Sequence, residues 1–298
     1  MKKYFLIASL FIGAISGRSQ QLQTSSFYDV QSVLDNPSMA GMTSKGMIGG
    51  IYRTQWNGFS GAPKTATVYG SFELPSLKIG LGGYAYSDKT GPTSRTGLAL
   101  SFAKHIAVGN GGRFSLGLEA RGLQYSIDMA KLQNTLGNDP VLGAGDNKFK
   151  FDAGFGISYV GKKLQLGASV NQLVQSKLDF YTGNLSRSEE GRLYRHYFFH
   201  GAYKLTLDPN TVLTPNLMFI YLPNAPLEVQ GGVRMDYKEL VWFGFSARYR
   251  QSLMFSAGFN LTKKLGIGYS FDLYQTPVST FDDRINSHEM TLRYNISK

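Results

Sequence analysis

From Gly46 onward, apolar and polar residues take turns along the chain. Phe149, Phe151, Ala153, Phe155, Ile157 and Tyr159 alternate with Lys148, Lys150, Asp152, Gly154, Gly156 and Ser158. Ile48, Gly50 and Tyr52 share a frame with Arg53 on the other side, and Ala66, Val68, Gly70 and Phe72 alternate with Thr65, Thr67, Tyr69 and Ser71. The same holds for Val241 to Tyr249, and for Met290, Leu292, Tyr294 and Ile296 against Glu289, Thr291, Arg293 and Asn295. A period of two marks a strand with one apolar face. The pattern predicts about fourteen strands, near 46–56, 64–73, 78–88, 94–106, 113–127, 148–160, 163–171, 193–207, 211–222, 227–237, 240–249, 252–261, 264–273 and 287–297. Segments of roughly ten residues suit strands that cross a bilayer at a tilt.

The connections alternate too. Every second one is tight and rich in turn formers: Leu74-Pro75-Ser76, Ala107 to Gly112, Gly161-Lys162, Asp208-Pro209-Asn210, Lys238-Glu239 and Thr262-Lys263. The others include the long stretches Asp128 to Asn147, Gln172 to Arg192 and Tyr274 to Asn286, although Pro223 to Pro226 and Arg250-Gln251 are short. Short turns on one side and long loops on the other are the habit of outer-membrane barrels. An even strand count then puts both termini in the periplasm and the long loops outside.

A soluble sandwich would show one strongly charged face to water. Here the less apolar face is Gly, Ser, Thr and Asn with isolated charges such as Arg53, Glu73, Asp152, Arg234, Arg248, Asp272 and Arg293. That composition suits a crowded polar lumen, with the apolar face toward lipid. Lipid satisfies no backbone N–H or C=O, so the sheet must close. The expected fold is an all-β transmembrane antiparallel β-barrel of about fourteen strands, with long extracellular loops and short periplasmic turns. Tyr52, Tyr86, Tyr125, Tyr159, Tyr221, Tyr237, Tyr249 and Tyr274 lie near strand ends and fit interfacial girdles.

The N-terminus fits this reading. Lys2 and Lys3 precede an apolar run from Tyr4 to Ile15, followed by small residues at Ser16, Gly17 and Ser19, as in a signal peptide spanning 1–19. Residues 20–45 alternate weakly and hold an Asn36-Pro37 turn; they form an N-terminal periplasmic or lumen-plugging segment ahead of the barrel, 46–298. With no cysteine there is no disulfide, thiolate metal site or lipidated N-terminal Cys. The net charge of +11 falls to +8 without Lys2, Lys3 and Arg18, and the rest is scattered without a basic run. Nucleic acid is therefore not an expected partner.

No constellation suggests catalysis. Among the four histidines, His196 and His200 have a helical metal spacing, but on a strand they stand about 13 Å apart. No Gly-x-Ser-x-Gly elbow occurs, and Glu189-Glu190 and Asp282-Asp283 fall in outer loops as solvated charge. The glycines at 80, 82 and 83, 154 and 156, and 266 and 268 sit inside strands, where they make room for crowding lumen side chains and for curvature. No cofactor and no metal are expected. The loop Trp56-Asn57-Gly58-Phe59-Ser60-Gly61-Ala62-Pro63 carries two aromatics, which suit either contact with a partner or packing over the barrel mouth.

Several stretches resemble one family. "NPSMAG" (Asn36 to Gly41), "YRTQWNGFSGAPKT" (Tyr52 to Thr65), "LGGYAYSDKTGP" (Leu81 to Pro92), "RHYFFHGAY" (Arg195 to Tyr203) and "HEMTLRYNI" (His288 to Ile296) are similar to the PorP/SprF family of type IX secretion. The resemblance implies a noncatalytic outer-membrane barrel, surrounded by outer-membrane lipid and working with other type IX secretion components. It also implies a role in secreting large cargo, such as adhesins with a C-terminal signal domain, and holding it at the cell surface. On that resemblance the partner-binding or family-motif positions are Asn36, Pro37, Gly41, Arg53, Gln55, Trp56, Gly58, Phe59, Gly61, Pro63, Asp88, Gly91, His288 and Glu289. Arg53, placed in the lumen, is expected to pair with a carboxylate, because an unpaired buried charge costs several kcal/mol. A passive outer-membrane pore or small-ligand transporter is the alternative.

Overall fold

Backbone pairing runs without a gap around one sheet. The computed structural model describes residues 25–58, 60–109, 111–131, 147–177, 192–223, 225–275 and 286–297. Its strands are β1 (Gly46–Gln55), β2 (Lys64–Leu74), β3 (Ile79–Thr90), β4 (Thr93–Val108), β5 (Gly112–Ile127), β6 (Asn147–Val160) and β7 (Leu164–Asn171), followed by β8 (His196–Tyr203) and β9 (Leu205–Asp208). After them come β10 (Thr211–Tyr221), β11 (Glu228–Tyr237), β12 (Val241–Arg248), β13 (Ser252–Asn260), β14 (Leu265–Tyr274) and β15 (Asn286–Ser297). Every pairing is antiparallel, and β15 pairs with β1 to close the barrel.

The expected fourteen strands are present with one interruption. The segment expected at 193–207 is split into β8 and β9, which both pair with β10 in the same frame: Ala202 faces Asn216, and Leu205 faces Leu213. The break lies opposite Pro215, which has no N–H to offer the ladder. The wall is therefore a closed fourteen-strand antiparallel barrel in which β9 adds a fifteenth short segment. Among the described residues no helix is long and apolar enough to cross a membrane.

Exposure follows the alternation. Val68 (61%), Leu118 (61%), Phe151 (70%) and Met290 (60%) face outward, whereas Arg53, Asp152, Arg248 and Asp272 are buried on the inner face. The tyrosine girdle needs a correction. Tyr52, Tyr221, Tyr237 and Tyr249 are exposed outside, but Tyr86 and Tyr125 line an inner cavity and Tyr274 is buried beside Arg53. Tyr86 shares its frame with Asp88, and Tyr274 shares its frame with Asp272. Period two therefore turns both inward.

The lumen is filled by the chain itself. Residues 25–45 lie inside the wall, with Phe27, Gln31, Val33, Asn36, Met39, Ala40 and Met42 all buried. One packing cluster joins Val33 and Ala40 to Met47, Ile51, Tyr69 and Tyr84; another joins Tyr28 to Phe198, Met218 and Met254. The segment starts at Ser25, bonded to Glu289 near the long-loop end, and descends to Lys45, whose carbonyl accepts from Glu73 N–H. Gly46 and Ser297 face each other at the short-turn end, so the two barrel termini lie together. Ser25 lies toward the opposite, long-loop end. The signal-peptide region 1–19 lies outside the described residues.

Glycines on the inner face admit this segment. A Cβ at Gly80 would run into the Ala40 carbonyl, at Gly117 into Ser38 N, and at Gly156 into the Asn36 side chain. The strand glycines thus make room for a backbone, not only for side chains. Gly80→Val is expected to keep a β-barrel circular dichroism spectrum but to lower stability by about 1–3 kcal/mol through overpacking. Gly109, whose Cβ would meet nothing within 4 Å, is the control: Gly109→Ala should leave the unfolding midpoint unchanged.

Candidate functional site

Arg53 follows Tyr52 on β1, so alternation that turns the tyrosine outward turns the guanidinium inward. It stands directly across from Glu289 of β15, and Asp272 of β14 lies one strand further round. Arg53 Nη2 donates to Asp272 Oδ2 at 2.7 Å and Nη1 donates to Glu289 Oε2 at 2.9 Å. All three side chains are 2% exposed or less. One guanidinium balances one carboxylate; a second remains. The N-terminal segment supplies the missing donors: Ser25 Oγ to Glu289 Oε1 (2.5 Å), Ser26 N–H to Glu289 Oε2 (2.8 Å) and Ser26 Oγ to Asp272 Oδ1 (2.6 Å). The expected Arg53 pairing is present, and it doubles as the clasp on the start of the segment.

Above this cluster, just past the end of β1, the backbone of Trp56 enters the left-handed region at φ 53°. Its indole packs edge-on against Tyr274, with ring centroids 6.4 Å apart. Gln55 N–H donates to Pro63 O at 2.9 Å, which pins the base of the first loop, and Gly91 N–H donates to Gly61 O at 2.8 Å. That contact rests the loop on the β3–β4 turn, where Gly61 and Gly91 both have positive φ and the Gly91 Cα would sit 3.0 Å from a Cβ on Gly61. Asp88 accepts from Thr65 Oγ1 at 2.8 Å and pairs with Arg95 at 2.5 Å. Arg53, Gln55, Trp56, Gly61, Pro63, Asp88, Gly91 and Glu289 are thereby gathered on one side of the mouth.

The other family-type positions lie elsewhere. Asn36 and Pro37 open a 3-10 turn, Pro37–Met39, deep in the lumen. The Asn36 amide accepts from Ser38 N–H at 3.0 Å and donates to the wall at Ile157 O, 3.2 Å away. Gly41 (φ +67°) donates its N–H to Ser71 Oγ at 2.8 Å. His288 faces the outer wall, where its Nδ1 lies 2.6 Å from the Tyr269 hydroxyl. Gly58 is exposed in the first loop, and Phe59 lies outside the described residues, as do the tips of the three long loops.

Sequence reasoning missed the inner cup beneath the mouth. Tyr84, Tyr86 and Tyr125 stand there beside Arg95 and Arg121, around a cavity of about 70 Å³ that also touches Asp35 and Phe198. That is room for a few waters. Arg121 pairs with Glu119 and lies over the Tyr84 ring, 5.7 Å from its centroid. The signal was available, since positions 84, 86 and 88 share one frame with an acid at its end. His196 and His200 also face inward, where His196 Nδ1 meets Gln172 at 3.0 Å and His200 Nε2 meets Asn36 at 3.1 Å. Among the described residues no group of three potential metal ligands forms.

Burial pushes the Asp35 carboxyl up to about 7, opposed by the Arg121 charge and reinforced by Glu119 and Glu228. Its folded pKa thus exceeds the unfolded value near 4. The stabilising contribution is complete below pH ~4 and is lost as pH rises through 7. Melting of the barrel across pH 4–8 should show this decline, and Asp35→Asn should flatten it. Arg53→Ala strands two buried carboxylates and is expected to cost about 3–5 kcal/mol in urea unfolding. Combining it with Asp272→Asn and Glu289→Gln should recover much of that loss.

The chain matches the family described as "Type IX secretion system membrane protein PorP/SprF" over residues 16–294. No curated protein sequence matches it. Among solved structures, the CymD monoaromatic hydrocarbon channel is similar at 11% identity, covering 90% of this chain and 93% of that one, with a TM-score of 0.50. A Pseudomonas aeruginosa FadL homologue is similar at 10% identity, covering 89% and 93%, also with a TM-score of 0.50. At such identities the likeness is one of fold. The family match spans nearly the whole chain, and with the closed wall it makes this an outer-membrane barrel that belongs to the PorP/SprF family of the type IX secretion system.

Proposed function

We propose that the barrel is a noncatalytic anchor that helps secrete large cargo, such as adhesins, and holds it at the cell surface by binding its C-terminal signal domain. The observation that carries this reading is the filled lumen. Residues 25–45 occupy the barrel interior and are clasped at the top by Arg53, Asp272 and Glu289, with a cavity of about 70 Å³ beneath the mouth and a larger one at the short-turn end. A wall closed in this way offers a rigid platform instead of a passage. Long loops outside and short turns in the periplasm are the habit of outer-membrane barrels, which supports a periplasmic side for the paired Gly46 and Ser297. The first loop, held by Gly61 on Gly91 and by Trp56 on Tyr274, presents a fixed edge of the kind that binding surfaces use.

The alternative is a passive pore. The fold likeness to the CymD hydrocarbon channel and the FadL homologue favours it, while the occupied lumen favours the anchor. Purification of the tagged protein from its native outer membrane in mild detergent separates the two. The expected result is co-recovery of one large secreted protein, lost when that protein's C-terminal domain is deleted and reduced at least tenfold by Trp56→Ala with Asp88→Ala. Solitary recovery of the barrel, together with steady single-channel conductance in planar bilayers, would transfer the assignment to the pore.

A further inference from the structure

Below the N-terminal segment, at the short-turn end, lies a second and larger cavity of about 580 Å³. Its lining is unlike the rest of the lumen. Lys45, Lys163, Lys204, Arg234 and Arg293 line it, with Asp29 as the acid among the lining residues. Arg234 is already engaged, 3.1 Å from Asp29 and 3.1 Å from Asp236. Among the described residues, Lys45, Lys163, Lys204 and Arg293 have no ion-pair partner. Ser44 Oγ is buried at the same site without a hydrogen-bond partner.

With Asp29 and Asp236 set against the five cations, an excess of three positive charges in a concave site with low-dielectric walls focuses positive potential into the cavity. The cost of gathering them falls when an anion enters. The volume lies within the range of ligand pockets. Lys163 and Lys204 stand at the rim, joined by a backbone hydrogen bond of 2.8 Å from Lys204 N to Lys163 O, and Lys162, Lys263 and Lys264 on the turns extend the field outward. Arg234, Arg293, Gln165 and Asn295 lie on the inner face, where the sheet separates them from the bilayer. Thr43, Gln165 and Asn295 add groups that can pair with a peptide backbone.

We propose that this vestibule docks an acidic peptide segment of another protein, arriving from the periplasm. Its periplasmic side rests on the orientation proposed above; its affinity for acidic peptide does not. The site is separate from the mouth, so one barrel would engage cargo outside and an acidic partner inside.

The full-length barrel in nanodiscs of zwitterionic lipid, titrated into a fluorescein-labelled peptide of alternating Asp and Gly about twelve residues long, tests this by anisotropy. Saturable binding is expected, weakened at least tenfold by Lys163→Glu with Lys204→Glu and by a rise in salt, and unchanged by Trp56→Ala. Both lysines are exposed, and retained heat-modifiable gel mobility would show that the variant is folded. Equal binding of an uncharged Ser-Gly peptide, or no effect of the double variant, would overturn the proposal. Loss of peptide binding when phosphatidylglycerol replaces the zwitterionic lipid would overturn it in favour of lipid phosphate. Labelling of Lys163→Cys from outside intact cells would reverse the orientation while leaving the binding result standing.

Discussion

Every backbone N–H and C=O that faces hydrocarbon must be paired within the protein. That constraint joins β15 to β1 and β11 to β10, and everything else follows from the resulting ring. Fourteen strands enclose more space than their inward side chains fill, particularly where those side chains are Gly and Ser. Water or protein must occupy the remainder. Here the chain uses its own first described residues, and the lumen becomes the hydrophobic core that a soluble protein would place between two sheets. Phe27 against Trp242, with ring centroids 5.9 Å apart, is a core contact of this kind.

The inner wall and the segment fit by opposite means. On one side of the barrel Gly80, Gly117 and Gly156 give up side chains so that the backbone from Asn36 to Ala40 can press against the strands. On the other side charged groups reach in, and Arg53 with two carboxylates grips Ser25 and Ser26. Close packing holds the middle of the segment and charge-assisted hydrogen bonds hold its start. Both faces of the segment are therefore defined, although it has almost no regular structure.

The strands were legible because period two and turn chemistry are local properties. Predicted ends fall within two or three residues of the observed ones, for example 94–106 against Thr93–Val108. The break after Tyr203 was not legible, because its cause sits across the sheet at Pro215. Lumen plugging by residues 20–45 is one of two readings the sequence offers, but the path those residues take is not legible there, for a similar reason. Its bonds span large separations, as from Asn36 to Ile157 and from Ser26 to Asp272, and leave no periodic trace. That Arg53 would find a carboxylate could be argued from burial alone. Which carboxylates it would find required the register around the ring. Tyr86, Tyr125 and Tyr274 leave the expected girdle because alternation, and not nearness to a strand end, decides which face a residue takes.

The position of the Arg53–Glu289 pair has a consequence for assembly. These residues face each other across the seam where the first and last strands meet, the junction that forms only when the barrel shuts. Sliding β15 by one residue would turn Glu289 to lipid; sliding it by two would set Arg53 against Thr291 or Ser287 and leave its charge without its cross-strand partner. The seam thus carries an electrostatic checksum. A misaligned closure announces itself as a buried charge, and Ser25 and Ser26 find their full set of acceptors only when the alignment is right.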